Sequence, residues 1–139
     1  MRFLAIITLA LAAALGASAP AQAQSPVRVI VEGKDATIAY SGDTGPTDRL
    51  WQLLNKEKDL KALLLEVSFP DREQRLATVS GHHTPRTLLK DLKKYARPKD
   101  LPALLYHIKP VFQSEVEQEV ARLKGVNLTV TAIGDQYVL

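Results

Sequence analysis

The chain has 139 residues, of which 46% are hydrophobic and 24% charged, with no cysteine, three histidines and a formal net charge of +3. That length suits one domain and excludes a large enzyme core. The missing cysteine excludes disulfides, thiolate metal sites and a cysteine nucleophile. The apolar fraction is that of a folded chain, which argues against disorder, and the mixed charges lack the basic tail of a protein that binds nucleic acid polymers.

Met1 and Arg2 precede an almost unbroken apolar run over residues 3–15, and small residues lead to Ala21-Gln22-Ala23. A short basic start, an apolar segment and an A-x-A pattern together form a secretory signal peptide, so residues 1–23 are expected to be removed. A membrane-spanning helix needs about 20 apolar residues, so no stable anchor is expected. The mature chain, residues 24–139, is therefore expected in a periplasm or outside the cell.

Residues 27–31 and 36–40 read as a hairpin around Glu32-Gly33-Lys34-Asp35. The exposed edge of its first strand invites self-association. A glycine-rich loop, residues 41–46, precedes a helix with Thr47 as a candidate cap and Leu50, Trp51, Leu53 and Leu54 on its apolar side. Residues 62–67 form a continuous apolar run suited to a central strand buried on both faces. Pro70-Asp71 opens a short helix to about Val79, and Thr84-Pro85 starts another that carries Leu88, Leu89, Leu92 and Tyr95. A strand over 101–108 follows, stopped by Pro110. A helix over 114–124, with Val116, Val120 and Leu123 facing inward, closes at Gly125. Two last strands, 127–133 and 136–139, flank Gly134-Asp135. This alternation predicts a layered α/β architecture.

Functional residues of such sheets gather beyond the carboxyl ends of the strands, which selects four loci. Asp43 sits in a glycine loop, where a carboxylate suits a metal ion or simply bonds its own turn. Glu66 ends the central strand; it is either buried against a histidine or metal, or turned to water at the strand's exit. His82 and His83 precede the 84–85 helix start, a place where backbone N–H groups favour phosphate and a histidine can pass a proton. They also suit an ordinary polar loop, and neighbouring histidines do not easily serve one site. His107 ends the strand over 101–108, as a metal ligand or as a hydrogen-bonded core histidine.

In order, the chain carries Tyr-Ser-Gly-Asp-Thr-Gly-Pro (40–46), Leu-Leu-Leu-Glu-Val-Ser-Phe-Pro (63–70), Ser-Gly-His-His-Thr-Pro (80–85) and Tyr-His-Ile-Lys-Pro (106–110). This series resembles the C-terminal half of the class II 3′,5′-cyclic nucleotide phosphodiesterases, enzymes of the αββα metallo-β-lactamase fold. The likeness covers nearly all of residues 27–139. It also extends to the tRNA 3′-processing nucleases, but Ser-Phe-Pro and His-x-Lys-Pro are closer to the cyclic nucleotide branch. The resemblance implies a two-ion centre, usually zinc, with Asp43 bridging the ions and His107 as a ligand. It further implies His82 as the proton-transferring histidine and Glu66 as the acid that orients it, with cyclic AMP or cyclic GMP as substrate. The family's N-terminal His-x-His-x-Asp-His cluster has no counterpart here, since no His-x-His occurs in the sequence. The expectation is therefore an incomplete member of the family, either active only with its missing ligands or a non-catalytic exported module that binds a ligand or partner. Its sheet should have one face without its usual cover.

Overall fold

The computed structural model describes residues 29–32, 37–97 and 101–138, so the proposed signal peptide and the hairpin turn at 33–36 lie outside the described residues. Five strands form one sheet in the order β1 (Val29–Glu32), β2 (Thr37–Tyr40), β3 (Leu60–Glu66), β4 (Ala103–Tyr106) and β5 (Leu128–Val130). β1 pairs antiparallel with β2, as a hairpin requires, while β2 to β5 run parallel. Parallel neighbours need crossovers. These are supplied by α1 (Asp48–Leu54), by α2 (Gln74–Ser80) with α3 (Pro85–Leu92), and by α4 (Gln113–Ala121). The chain is thus α/β, with strands and helices alternating.

One face of the sheet carries the core. Ala39, Leu63, Leu65, Ala103 and Leu105 pack with Leu50, Trp51 and Leu54 of α1, Leu88 and Leu92 of α3, and Val116 and Val120 of α4. Side chains alternate across a sheet, so Ile38, Tyr40, Leu64, Leu104 and Tyr106 point the other way and stand outside that cluster. Of these, only Leu104 is fully buried; the others are half-buried. No helix among the described residues is long and apolar enough to cross a membrane.

Several ends differ from the pattern read in the sequence. β4 is shorter than residues 101–108. Pro102 has no N–H to give the ladder, though its carbonyl accepts from Leu63 N at 2.9 Å, and His107 leaves the strand with φ 71°. Thr47 occupies the N-cap of α1 but its side chain makes no capping bond; instead its backbone N–H donates to Asp91 Oδ2 at 3.1 Å. Thr84 does cap α3, accepting from Thr87 N while Thr87 Oγ1 accepts from Thr84 N at 2.8 Å, with Pro85 at the first position. The strand expected over 136–139 is absent from the described residues 136–138. Asp135 Oδ2 accepts from Ala132 N at 2.8 Å and from the Tyr137 hydroxyl at 3.0 Å, so this end closes on itself instead of entering a ladder.

A candidate catalytic and metal centre

The parallel strands β2, β3 and β4 bring the ends of three chain segments to one edge of the sheet. After β2, Ser41 N donates to Leu64 O at 2.9 Å and the Ser41 hydroxyl accepts from Glu66 N at 3.1 Å. These bonds carry the strand register into the loop and place Asp43 beyond it. The Asp43 side chain is 57% exposed, and its Oδ1 lies 3.1 Å from His107 Nδ1. Its partner is therefore a histidine from two strands away.

Glu66, at the end of β3, is 1% exposed. Its Oε1 accepts from the Ser68 hydroxyl at 2.5 Å and stands 3.0 Å from His82 Nδ1, while Oε2 accepts from His83 N at 3.0 Å. Burial pushes its carboxyl up to about 8, against the hydrogen bonds from Ser68 and His83 and despite the nearby Lys109 ammonium. Of the two environments open to Glu66 in the sequence, the structure gives it the buried one with a histidine partner.

His82 and His83 part ways. α2 ends on Gly81, whose φ of 74° is open to glycine at little cost, and His82 N donates back to Ala77 O at 2.8 Å. That turn aims the His82 ring at Glu66, edge-on to Phe69 with centroids 5.8 Å apart. Burial first, then the Lys109 charge and His107, lowers its tendency to protonate. The next residue faces the opposite side. His83 is 2% exposed, with Nδ1 3.2 Å from Thr87 Oγ1 and Nε2 3.9 Å from Asp91 Oδ2. Burial lowers its pKa to about 4, so it stays neutral, while its carbonyl accepts from Ser68 N at 3.1 Å and ties the loop to the end of β3. The His83 imidazole belongs to the core, and only its backbone serves the site.

His107 approaches from β4. Its positive φ, costly for any residue with a Cβ, turns the ring across the sheet edge so that its centroid lies 5.3 Å from that of His82. Nδ1 faces Asp43 and, at 3.2 Å, Ser68 Oγ; Nε2 lies 3.3 Å from Lys109 Nζ.

Ser68 was not legible as a site residue. Its fully buried hydroxyl contacts Glu66 Oε1, His82 Nδ1 at 3.3 Å and His107 Nδ1 at 3.2 Å, which makes it the shared neighbour of all three. Burial removes it from any substrate, so it positions the other groups and is no nucleophile. Only its place two residues past Glu66 could have signalled it.

Glu66, His82 and His107 each offer a ligand atom, all within 4.8 Å of one another. Two imidazole nitrogens and one carboxylate oxygen suit a borderline cation of the zinc type, whose ligand atoms stand roughly 3.4 Å apart when tetrahedral. A modest inward closure would therefore hold one ion. Asp43 is outside this trio and abuts it through His107. Among the described residues, the donors suit one ion better than two, because the third histidine is turned into the core. Comparison of the sequence with protein-family models and with curated proteins finds no match.

Proposed function

We propose that this chain carries the phosphoester-cleaving edge of a metallo-β-lactamase-type fold and acts on 3′,5′-cyclic nucleotides, giving nucleoside 5′-monophosphates. The observation that supports this reading is the pairing of Glu66 with His82 beside the pairing of Asp43 with His107, at the carboxyl ends of three adjacent parallel strands. In this reading a divalent ion, probed first as zinc, would sit on Asp43 and His107 instead of on the Glu66–His82–His107 trio, so that His82 stays free to transfer a proton. Such an ion, when bound, supplies Lewis acidity toward the phosphoryl oxygens and a hydroxide at neutral pH.

The protein's own groups do the rest. Glu66 fixes the His82 ring through Nδ1, which leaves Nε2 free to hold a proton and deliver it to the departing 3′ oxygen. Ser68 keeps Glu66, His82 and His107 in register, and Phe69 shields one edge of the His82 ring from water. The proposed export to a periplasm or the cell exterior belongs to the same reading.

The test is hydrolysis of cyclic AMP and cyclic GMP by the full chain with zinc or manganese, together with retained metal after dialysis. Turnover that disappears in both Asp43→Ala and His107→Ala supports the proposal. Loss of turnover with retained zinc in His82→Ala makes His82 the proton donor, whereas loss of both makes it a ligand. A second reading, a non-catalytic exported module that binds a ligand or partner, is favoured by one observation: only two imidazoles reach the site. Inert protein that keeps no metal supports that reading and rejects catalysis by this chain.

A further inference from the structure

Lys109 follows His107 by two residues, in the Tyr-His-Ile-Lys-Pro segment, and takes no part in the chemistry described so far. It occupies the exit of β4, where its backbone N–H donates to Ser68 O at 3.2 Å. That bond fixes the base of the side chain against the site. The residue is half-buried, and its ammonium lies 3.3 Å from His107 Nε2 and 6.0 Å from the centre of the Phe69 ring. One neighbour is an imidazole nitrogen and the other an aromatic ring.

Among the described residues no carboxylate forms a salt bridge with Lys109, whereas Lys94 pairs with both Asp48 and Asp91. The nearest acid across the imidazole, Asp43, is engaged at Nδ1, on the other side of the ring from the ammonium at Nε2. The imidazole thus keeps carboxylate and ammonium apart. An ammonium carries three donors and no acceptor, so with one N–H directed to His107 two remain for another partner. The charge is felt by its neighbours, since it opposes protonation of both Glu66 and His82.

We infer that Lys109 is the anion-holding residue of the site: His107 and Phe69 fix its ammonium at the sheet edge, and its two remaining N–H donors take oxygens of a phosphoryl group. The inference rests on the reading of this edge as a phosphoester site and names the residue that would hold the substrate's charge. Its test involves no turnover, so failed hydrolysis and failed anion binding are separate results.

The experiment is an NMR titration of the full chain, with chelator present, using inorganic phosphate at constant ionic strength. The wild-type protein should show saturable shifts at the backbone amides of residues 107 and 109 and at the His82 and His107 rings. Lys109→Met should weaken phosphate binding about tenfold or more, the scale of a lost charge-assisted hydrogen bond, and Lys109→Arg should restore most of it. Unchanged resonances of His83 and Trp51, both buried away from the ammonium, establish that each variant is folded. Equal affinity in wild type and Lys109→Met overturns the inference. So does a wild-type protein that gives no saturable response, or one whose shifts fall elsewhere, and these two outcomes need no variant.

Discussion

Glu66 Oε1 and His82 Nδ1 meet at 3.0 Å, joining the end of the central strand to the loop that opens α3. The buried carboxyl and the buried His83 beside it make stability depend on pH in opposite directions. Glu66 moves from 4.5 to about 8, so between those values the native chain keeps a proton that the unfolded chain has lost. Stability therefore falls as pH rises through that window. His83 moves from 6.5 to about 4, so in that range the unfolded chain binds the extra proton and stability rises with pH. The two effects oppose each other from pH 4.5 to 6.5 and leave Glu66 alone from 6.5 to about 8. In metal-free protein the urea midpoint should decline over that upper range, with a slope of up to about 1.4 kcal/mol per pH unit. Glu66→Gln should flatten it; a wild-type profile already flat there would refute the assignment.

Asp91 holds α3 to α1. Its Oδ2 accepts from Trp51 Nε1 at 2.6 Å and from Thr47 N at 3.1 Å, in a place 2% exposed to solvent. Asp91→Ala leaves the buried Trp51 indole N–H and the half-buried Thr47 N–H unpaired and should destabilise the chain by about 3 kcal/mol. Asp91→Asn, which keeps an acceptor, should lose less. Urea unfolding followed by Trp51 fluorescence measures both.

His107 adopts φ 71° and still carries a Cβ. If that backbone shape is imposed by the fold, His107→Gly should be more stable than His107→Ala by about 1 kcal/mol. Equal stability of the two would mean that the turn relaxes once the imidazole is gone. Thermal melts of the pair decide between these outcomes.

A metal that binds only the folded chain raises its stability, by about 2.7 kcal/mol at one hundred times the dissociation constant. Zinc should accordingly raise the melting temperature of the wild-type chain, and chelator should reverse the gain. His107→Ala should show no gain, since it removes a donor shared by the Asp43 pair and the Glu66–His82 trio. A gain of the same size in that variant would place the ion elsewhere.

What the sequence made legible was local. The apolar run of β3, the Thr84-Pro85 start of α3 and the hairpin strands follow from pattern and cap chemistry, and they recur in the structure. Glu66 and His107 stood out because each closes a parallel strand, and His82 because it lies just before a helix start, where a histidine can pass a proton. Ser68 and Asp91 were missed because their importance lies in partners far along the chain, such as the Trp51 indole 40 residues from Asp91. No periodicity encodes such a contact. Thr47 stands at the N-cap as its type suggests, yet its side chain makes no capping bond, and Asp91 from α3 holds its backbone N–H. The last strand failed because Asp135 captures both sides of its own turn.

Gly45 links the two halves of the site mechanically. A Cβ there would come within 3.2 Å of the Gly81 carbonyl carbon and 3.4 Å of His82 N, so the loop that carries Asp43 rests directly on the backbone that aims His82. Contact of this kind resists compression but does not oppose separation, unlike a hydrogen bond. The Gly45 contact therefore limits how closely the Asp43 loop approaches His82, while the Ser68 hydroxyl, in contact with both Glu66 and His107, limits how far the two pairs can part. A methyl group at Gly45 would press on the backbone that aims His82, which would have to give by a few tenths of an ångström.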